Sequence, residues 1–266
     1  MCRRISAFFA CVVLILSSSV PQAGNLPTPV SASPRVYSQA SWELSATGYL
    51  WASGLKGTLA TLPPLPAVAV DASFGDLLKT LGGAFMGAFE ARYGRFVILN
   101  DVMGTRLKPE GARARGPLAV SVDIGSSSLM GLAALGYRMV DGVHFTFDVF
   151  VGVRGFYMGN ELRVLVAAGP FSVGQTFSET KTWVDGIGGV RMRYQFDESW
   201  SATLAGFFGG GASKHQLDIY GGVGYSFNRS WAALVGYRAF KLDFSDRGFI
   251  YNVLQHGPLV GLQYRW

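Results

Sequence analysis

From Trp42 onward, apolar side chains recur at every second position. Between Gln216 and Phe227, the residues Leu217, Ile219, Val223, Tyr225 and Phe227 share one side of an extended chain, while Gln216, Asp218, Tyr220, Gly222, Gly224 and Ser226 share the other. Successive side chains of a strand point to opposite faces, so this spacing predicts a strand with one greasy and one polar or small face. The same pattern predicts strands over 42–56, 84–93, 95–106, 118–139, 143–168, 181–196, 200–211, 215–227, 230–243 and 250–266. No stretch from Trp42 on is apolar for the roughly 18 residues a membrane helix requires. One helix is expected. Asp71, a capping residue type, precedes Phe74, Leu77, Leu78 and Leu81 at helical spacing, which predicts a short amphipathic helix that packs on a rim or plugs a mouth.

The predicted strands are even in number, and their connections sort by length. If the first strand runs outward, the inner turns are Tyr93-Gly94-Arg95, Val140-Asp141-Gly142, Phe196 to Ser199 and Asn228 to Ser230, all short. The outer connections Gly57 to Gly83, Leu107 to Pro117, Gly169 to Thr180 and Asp243 to Phe249 are mostly longer, and only the one after Gly211 is brief. Short inner turns, longer outer loops and even parity are the plan of an outer-membrane barrel. The expected fold is therefore all-β: an antiparallel transmembrane β-barrel of about ten strands, with the amphipathic helix in its first outer loop. Trp42, Trp231, Tyr264 and Trp266 fall near inner strand ends, where amphipathic rings favour an interface.

The beginning of the chain changes the picture in one respect. Arg3-Arg4 is followed by an apolar run from Ile5 to about Ser19 and then by small residues, the plan of a signal peptide over 1–23 with Ala23 at its end. Residues 24–40 are rich in Pro, Ser and Ala and lack periodicity, so they are expected to form a flexible linker, which leaves 41–266 for the barrel. Both cysteines, Cys2 and Cys11, lie inside the signal segment, so disulfides have no part in the barrel. Charged residues make up only 15% of the 266, with 35 glycines and 14% aromatics, too apolar for disorder and too glycine-rich for a helical bundle. A net charge of +6 raises nucleic acid as a partner, but the Lys and Arg residues are scattered without an aromatic-basic motif, and nucleic acid is not expected.

Turning each greasy face to lipid puts the opposite face in the lumen, because a charge facing hydrocarbon costs about 2–4 kcal/mol at the midplane. Alternation then collects Glu43, Glu90, Arg92, Arg95, Asp101, Arg138, Asp148, Arg154, Asp185, Arg191, Arg193, Asp218, Arg238 and Arg265 inside. Each guanidinium fork fits a carboxylate, so an ion-paired interior that rigidifies a barrel with a structural or surface-interaction role is the leading expectation. The alternative is a narrow anion-preferring channel lined by the arginine excess. A rim hydrolase built from His215 or His256 with Asp243, Ser245 and Asp246 comes third, and His144 lies at an inner turn; lone histidines carry little weight, and no enzymatic activity is expected. No cofactor is expected. The segment from Trp42 on has no cysteine and no His or carboxylate cluster at metal-ligand spacing, and Gly209-Gly210-Gly211 lacks the Lys and helix of a phosphate loop.

Val260, Leu262, Tyr264 and Trp266 share one face of a strand that ends on an aromatic and contains Gly261. This resembles the C-terminal signal read by the barrel-assembly machinery; Leu259 departs from it where a polar residue is usual. More widely, Trp42 to Thr47 with Tyr49-Leu50-Trp51, Phe74 to Leu78, Met86 to Arg92, Gly236-Tyr237-Arg238 and His256 to Leu259 resemble a family of small uncharacterised proteobacterial outer-membrane β-barrel proteins. The resemblance implies a bacterial outer-membrane location, and as partners outer-membrane lipid and the assembly machinery. The basic loop Lys108 to Arg115 is either simply solvated, as charged loops usually are, or meets lipopolysaccharide phosphates.

Overall fold

The computed structural model describes residues 41–63, 66–108, 113–114, 118–168 and 171–266. The expected signal segment and linker lie outside them. The elements run β1 (Trp42–Trp51), β2 (Gly54–Ala60), β3 (Val68–Ala72), α1 (Phe74–Thr80), β4 (Leu81–Tyr93), β5 (Phe96–Leu107), β6 (Arg113–Ala114), β7 (Leu118–Asp141), β8 (Phe145–Ala168), β9 (Phe171–Gln195), β10 (Trp200–Gly211), β11 (His215–Ser226), β12 (Trp231–Asp246) and β13 (Phe249–Arg265). Ten of these strands form the barrel in the order β1-β4-β5-β7-β8-β9-β10-β11-β12-β13, each antiparallel to the next, and β13 closes on β1 from Ser45↔Arg265 to Trp51↔Leu259. We call the end that holds Trp42 and Trp266 the inner end.

The predicted strand 42–56 is in fact broken. β1 stops at Trp51, the chain steps aside at Ala52 and Ser53, and β2 resumes pairing with the same partner strand from Gly54↔His256 to Ala60↔Ile250. Ala52 keeps the ladder continuous by donating its amide to the Pro258 carbonyl at 2.9 Å. The step passes so close to β13 that a Cβ on Gly257 would stand 2.0 Å from the Ala52 oxygen. β3 then folds back on β2. β1 pairs with β4 only from Trp42↔Tyr93 to Gly48↔Gly87, and the outer stretch of β4 pairs only with β5. Beside this seam the Trp51 amide donates to the Met86 sulfur at 3.3 Å instead of a carbonyl.

The helix begins later than predicted. Ser73, not Asp71, is the N-cap: its hydroxyl accepts from the Asp76 amide while the Asp76 carboxylate accepts from the Ser73 amide, a capping box. Asp71 belongs to β3 and pairs with Lys56 at 3.0 Å. None of the helical residues is buried, and α1 touches β2 and β3, so it lies on the rim and does not plug the barrel.

Two connections expected to be long outer loops are strand instead. β9 begins at Phe171, and β12 runs to Asp246, leaving a two-residue turn at Arg247 (φ 47) and Gly248 (φ 86). Positive φ at both central positions matches the twist of a tight hairpin. Two inner turns close differently: Asp197 Oδ1 accepts the amides of Ser199 and Trp200, and Asn228 Oδ1 accepts those of Ser230 and Trp231. An Asx side chain substituting for a backbone acceptor closes the turn without a long loop.

Strands β7, β8 and β9 have 24, 24 and 25 residues. At about 3.3 Å per residue each is roughly 80 Å long, whereas a tilted strand needs about 9–11 residues to cross a bilayer. Outward side chains change character along that length. Near the inner end they are large and apolar, among them Phe96 (66% exposed), Leu135 (64%) and Val151 (68%). Toward the outer end exposed charges such as Asp123 and Arg163 appear among them, beside apolar residues that stay exposed such as Leu165 and Val173. Aromatic pairs ring the inner end: Trp42 with Tyr93 (5.1 Å between centroids), Phe96 with Tyr137 (5.5 Å), Trp200 with Tyr225 (4.9 Å), and Tyr264 with both Trp231 (4.8 Å) and Trp266 (4.9 Å).

Candidate functional site

The lumen is the only compartment in which buried charges gather among the described residues, and it has two layers of ion pairs. In the inner layer Asp148, fully buried on β8, accepts from Arg138 Nε at 2.8 Å and Arg191 Nη2 at 2.7 Å. Arg191 reaches across to Glu90 on β4 at 2.5 Å, tying opposite walls together. At the inner rim Arg92 pairs with Glu43.

The outer layer centres on Asp218 of β11, which accepts from Arg154 Nη2 at 2.6 Å and from Arg238 Nη2 at 2.8 Å and Nε at 2.9 Å. Arg238 also pairs with Asp101 at 2.8 Å and donates to the Tyr49 hydroxyl at 3.1 Å; that hydroxyl in turn donates to Asp101 at 2.5 Å. Asp185 stands opposite Arg154 in register but is reached through an amide. Gln216 accepts from Arg154 at 3.1 Å and donates to Asp185 at 3.0 Å, and the Ser213 amide donates to Asp185 at 2.8 Å. Isolated, any of these charges would be costly to bury; the shared forks and amide links offset that cost.

Three residues of the predicted set behave differently. Arg193 lies in the lumen and makes no ion pair or hydrogen bond among the described residues, so the expectation of a fully paired interior is corrected there. Arg265 is luminal but donates to Gln263 at 2.9 Å and Ser226 at 3.4 Å, not to a carboxylate. Arg95 sits exposed in an inner turn. Arg193 and Arg265 both line a cavity of about 380 Å³ that runs from the inner strand ends, at Glu43 and Gln195, up to the Tyr49, Asp218 and Arg238 layer.

Above that layer the expectation of a polar interior fails. The inward positions become apolar, and Trp51, Phe156, Trp183, Phe240, Phe244 and Phe249 form the buried core of the outer half. Trp183 stacks on Phe244 at 3.9 Å between centroids and 5° between planes, and on Phe156 at 4.9 Å and 15°. Its indole nitrogen donates to Ser213 at 2.9 Å, and that of Trp51 donates to the Gly257 carbonyl at 3.2 Å. Arginines of the ion-pair layers lie against rings, Arg154 5.1 Å from the Phe240 centroid and Arg238 5.4 Å from that of Trp51. The alternation of β12 contains the signal: outward Trp231, Val235 and Tyr237 give way after Arg238 to inward Phe240, Leu242 and Phe244, with Lys241, Asp243 and Ser245 now outside.

The rim residues do not assemble into a triad. The His256 ring bonds the Tyr237 hydroxyl at 2.6 Å on the outer surface, while Asp246 pairs with Lys181 at 3.1 Å and Asp243 with Lys214 at 3.9 Å. His144 bonds the Gln195 carbonyl at the inner end. The described residues hold no cluster of three metal-ligating side chains. In the predicted basic loop, Lys108 follows β5 and Arg113 opens β6, and residues 109–112 and 115 lie outside the described residues.

No family model matches the chain, and no curated protein matches it. Among solved structures it is similar to the outer membrane protease OmpT of Escherichia coli (8% identity, 90% of this chain and 99% of that one, TM-score 0.45). It is also similar to the translocator domain of the autotransporter NalP from Neisseria meningitidis (10% identity, 84% and 88%, TM-score 0.41) and to Neisserial surface protein A (12% identity, 85% and 97%, TM-score 0.33). At such identities and TM-scores, the function of this chain has to be read from its own residues.

Proposed function

We propose that this chain is a non-conducting barrel of the bacterial outer membrane, whose role is to hold a rigid β-wall above the lipid surface for structural or surface interaction. The observation that carries this is the aromatic stack of Phe156, Trp183 and Phe244 across the outer half of the lumen, seated on the ion-paired layer. Close-packed rings leave no continuous water path, and the side chains of a narrow barrel fill its interior in the same way. The apolar exterior near the inner end supports insertion in lipid, and the charged exterior beyond it supports a water-exposed extension. Gly261, Tyr264 and Trp266 on β13 would serve the assembly machinery as the terminal signal. Tyr264 and Trp266 meet edge to face at 4.9 Å between centroids, and Gly261 lies where a Cβ would come 3.1 Å from that of Tyr49.

Planar-bilayer recording of the refolded protein tests the proposal. Silence from verifiably inserted protein is expected, with salt-dependent steps appearing when Phe156, Trp183 and Phe244 are replaced together by alanine. Stable steps from the unaltered protein that change when Arg138, Arg191 and Arg238 are neutralised would favour the alternative, a narrow anion-preferring channel.

A further inference from the structure

We propose that the inner half of the lumen is a blind vestibule that binds an oxyanion, a carboxylate or phosphate carried by a small polar molecule, through Arg193 and Arg265. Every other luminal arginine has a carboxylate partner: Arg92 with Glu43, Arg138 with Asp148, Arg191 with Glu90 and Asp148, and Arg154 and Arg238 with Asp218. Arg193 has none among the described residues, and Arg265 reaches only the neutral Gln263 and Ser226. The cavity wall carries Arg191, Arg193, Arg238 and Arg265 against Glu43, Glu90, Asp101 and Asp218, but each of those carboxylates is already engaged, Glu43 by Arg92, Glu90 by Arg191, and Asp101 and Asp218 by Arg238, which leaves Arg193 and Arg265 without a counter-ion among the described residues. An arginine without a carboxylate does not readily shed its proton, so these two guanidinium forks stand ready for an anion from solution.

The space suits such a ligand. Its roughly 380 Å³ lies within the range of small-molecule sites, and Thr203, Ser201, Gln195 and Gln263 add hydroxyl and amide groups beside the two guanidiniums. The layer of Tyr49, Asp101, Asp218 and Arg238, topped by the aromatic stack, closes its far end. Binding without passage is what this shape permits. That the vestibule is blind rests on the sealed-barrel proposal, whereas the oxyanion site does not, and the two fail separately, since conductance reports the outer half of the lumen and titration the inner half.

The test is titration of the refolded full chain in detergent micelles, followed through its arginine Nε–H resonances, with glucose 6-phosphate, glucuronate and neutral glucose as probes. A saturable response to one or both anions and none to glucose is expected, and the two anions show which oxyanion is preferred. R193Q and R265Q should each weaken binding at least tenfold, R193K should recover part of the loss, and K241Q on the outer wall should change nothing. Heat-modifiable gel mobility checks folding. If R265Q, so near the terminal signal, does not assemble, R193Q, R193K and the shifts of the unaltered protein decide the question. No saturable response to either anion, or binding that R193Q leaves intact, would overturn the inference.

Discussion

Replacement of Asp218 by asparagine probes the ion-paired layer most directly. Asp218 is buried and serves two guanidiniums, Arg154 at 2.6 Å and Arg238 at 2.8 Å. In D218N, Arg238 retains Asp101 and the Tyr49 hydroxyl. Arg154 fares worse: it is 1% exposed, its Nε already lacks a partner, and it would be left with neutral acceptors only, Gln216 and the amide oxygen introduced at position 218, beside the face of Phe240. Leaving a buried charge without its counter-ion costs about 3–5 kcal/mol. A desolvated cation–π contact offers about 2 kcal/mol and is already present in the native barrel, so it does not offset the loss. D218N should therefore be destabilised by about 3–4 kcal/mol. Removing the stranded cation as well, in D218N/R154M, should recover about 1–3 kcal/mol of that loss. Urea unfolding in lipid vesicles, read by the fluorescence of Trp51 and Trp183, measures both. A D218N barrel within about 0.5 kcal/mol of the parent, or a double variant no more stable than D218N, would refute the argument that Asp218 holds Arg154.

Three further outcomes are expected. The Asp197 carboxyl is held below the ordinary aspartate value of 3.8 by accepting the Trp200 and Ser199 amides, so its contribution to the inner turn is complete above the unfolded value and is lost as pH falls through the folded one. The Ser199 and Trp200 amide resonances should titrate with a midpoint under 3.8 and become flat in D197N; a midpoint at or above 3.8 would contradict the hydrogen bonds. Gly248→Ala has space, its nearest neighbour being Pro63 Cβ at 3.6 Å, but its φ of 86 should cost about 1–2 kcal/mol by urea denaturation, against no cost if the turn relaxes. Met86→Leu removes the sulfur that accepts the Trp51 amide, so hydrogen exchange at Trp51 should quicken while that at Thr47, below the seam, stays unchanged.

Alternation alone located the barrel strands, because on a closed antiparallel wall the inward or outward sense of a strand residue follows from parity; it does not extend to a turn residue such as Arg95, which is exposed. Partner choice was not legible in the same way. Arg154 stands opposite Asp185 in register yet bonds Asp218 across the lumen, and no local spacing encodes which side chains meet across a barrel. The N-cap was misplaced because Asp71 and Ser73 are both good caps, and the β2–β3 pairing claimed Asp71. The polar-interior expectation failed for a more general reason: it assigned one solvent to the whole length of each strand. A strand that passes from lipid into water must exchange its faces, since the apolar side that suits hydrocarbon outside would be stranded in water above it. β12 makes that exchange at Arg238, below which Val235 and Tyr237 face out and above which Phe240, Leu242 and Phe244 face in. The outer half is thereby built like a water-soluble barrel, with a dry aromatic core, on top of a membrane barrel with a charged one. The ion pairs of Asp218 lie where the two kinds of interior meet, between the charged inner half and the aromatic core. Arg154 and Arg238 suit this position because each presents a flat guanidinium to rings above and hydrogen-bonding forks to carboxylates beside it.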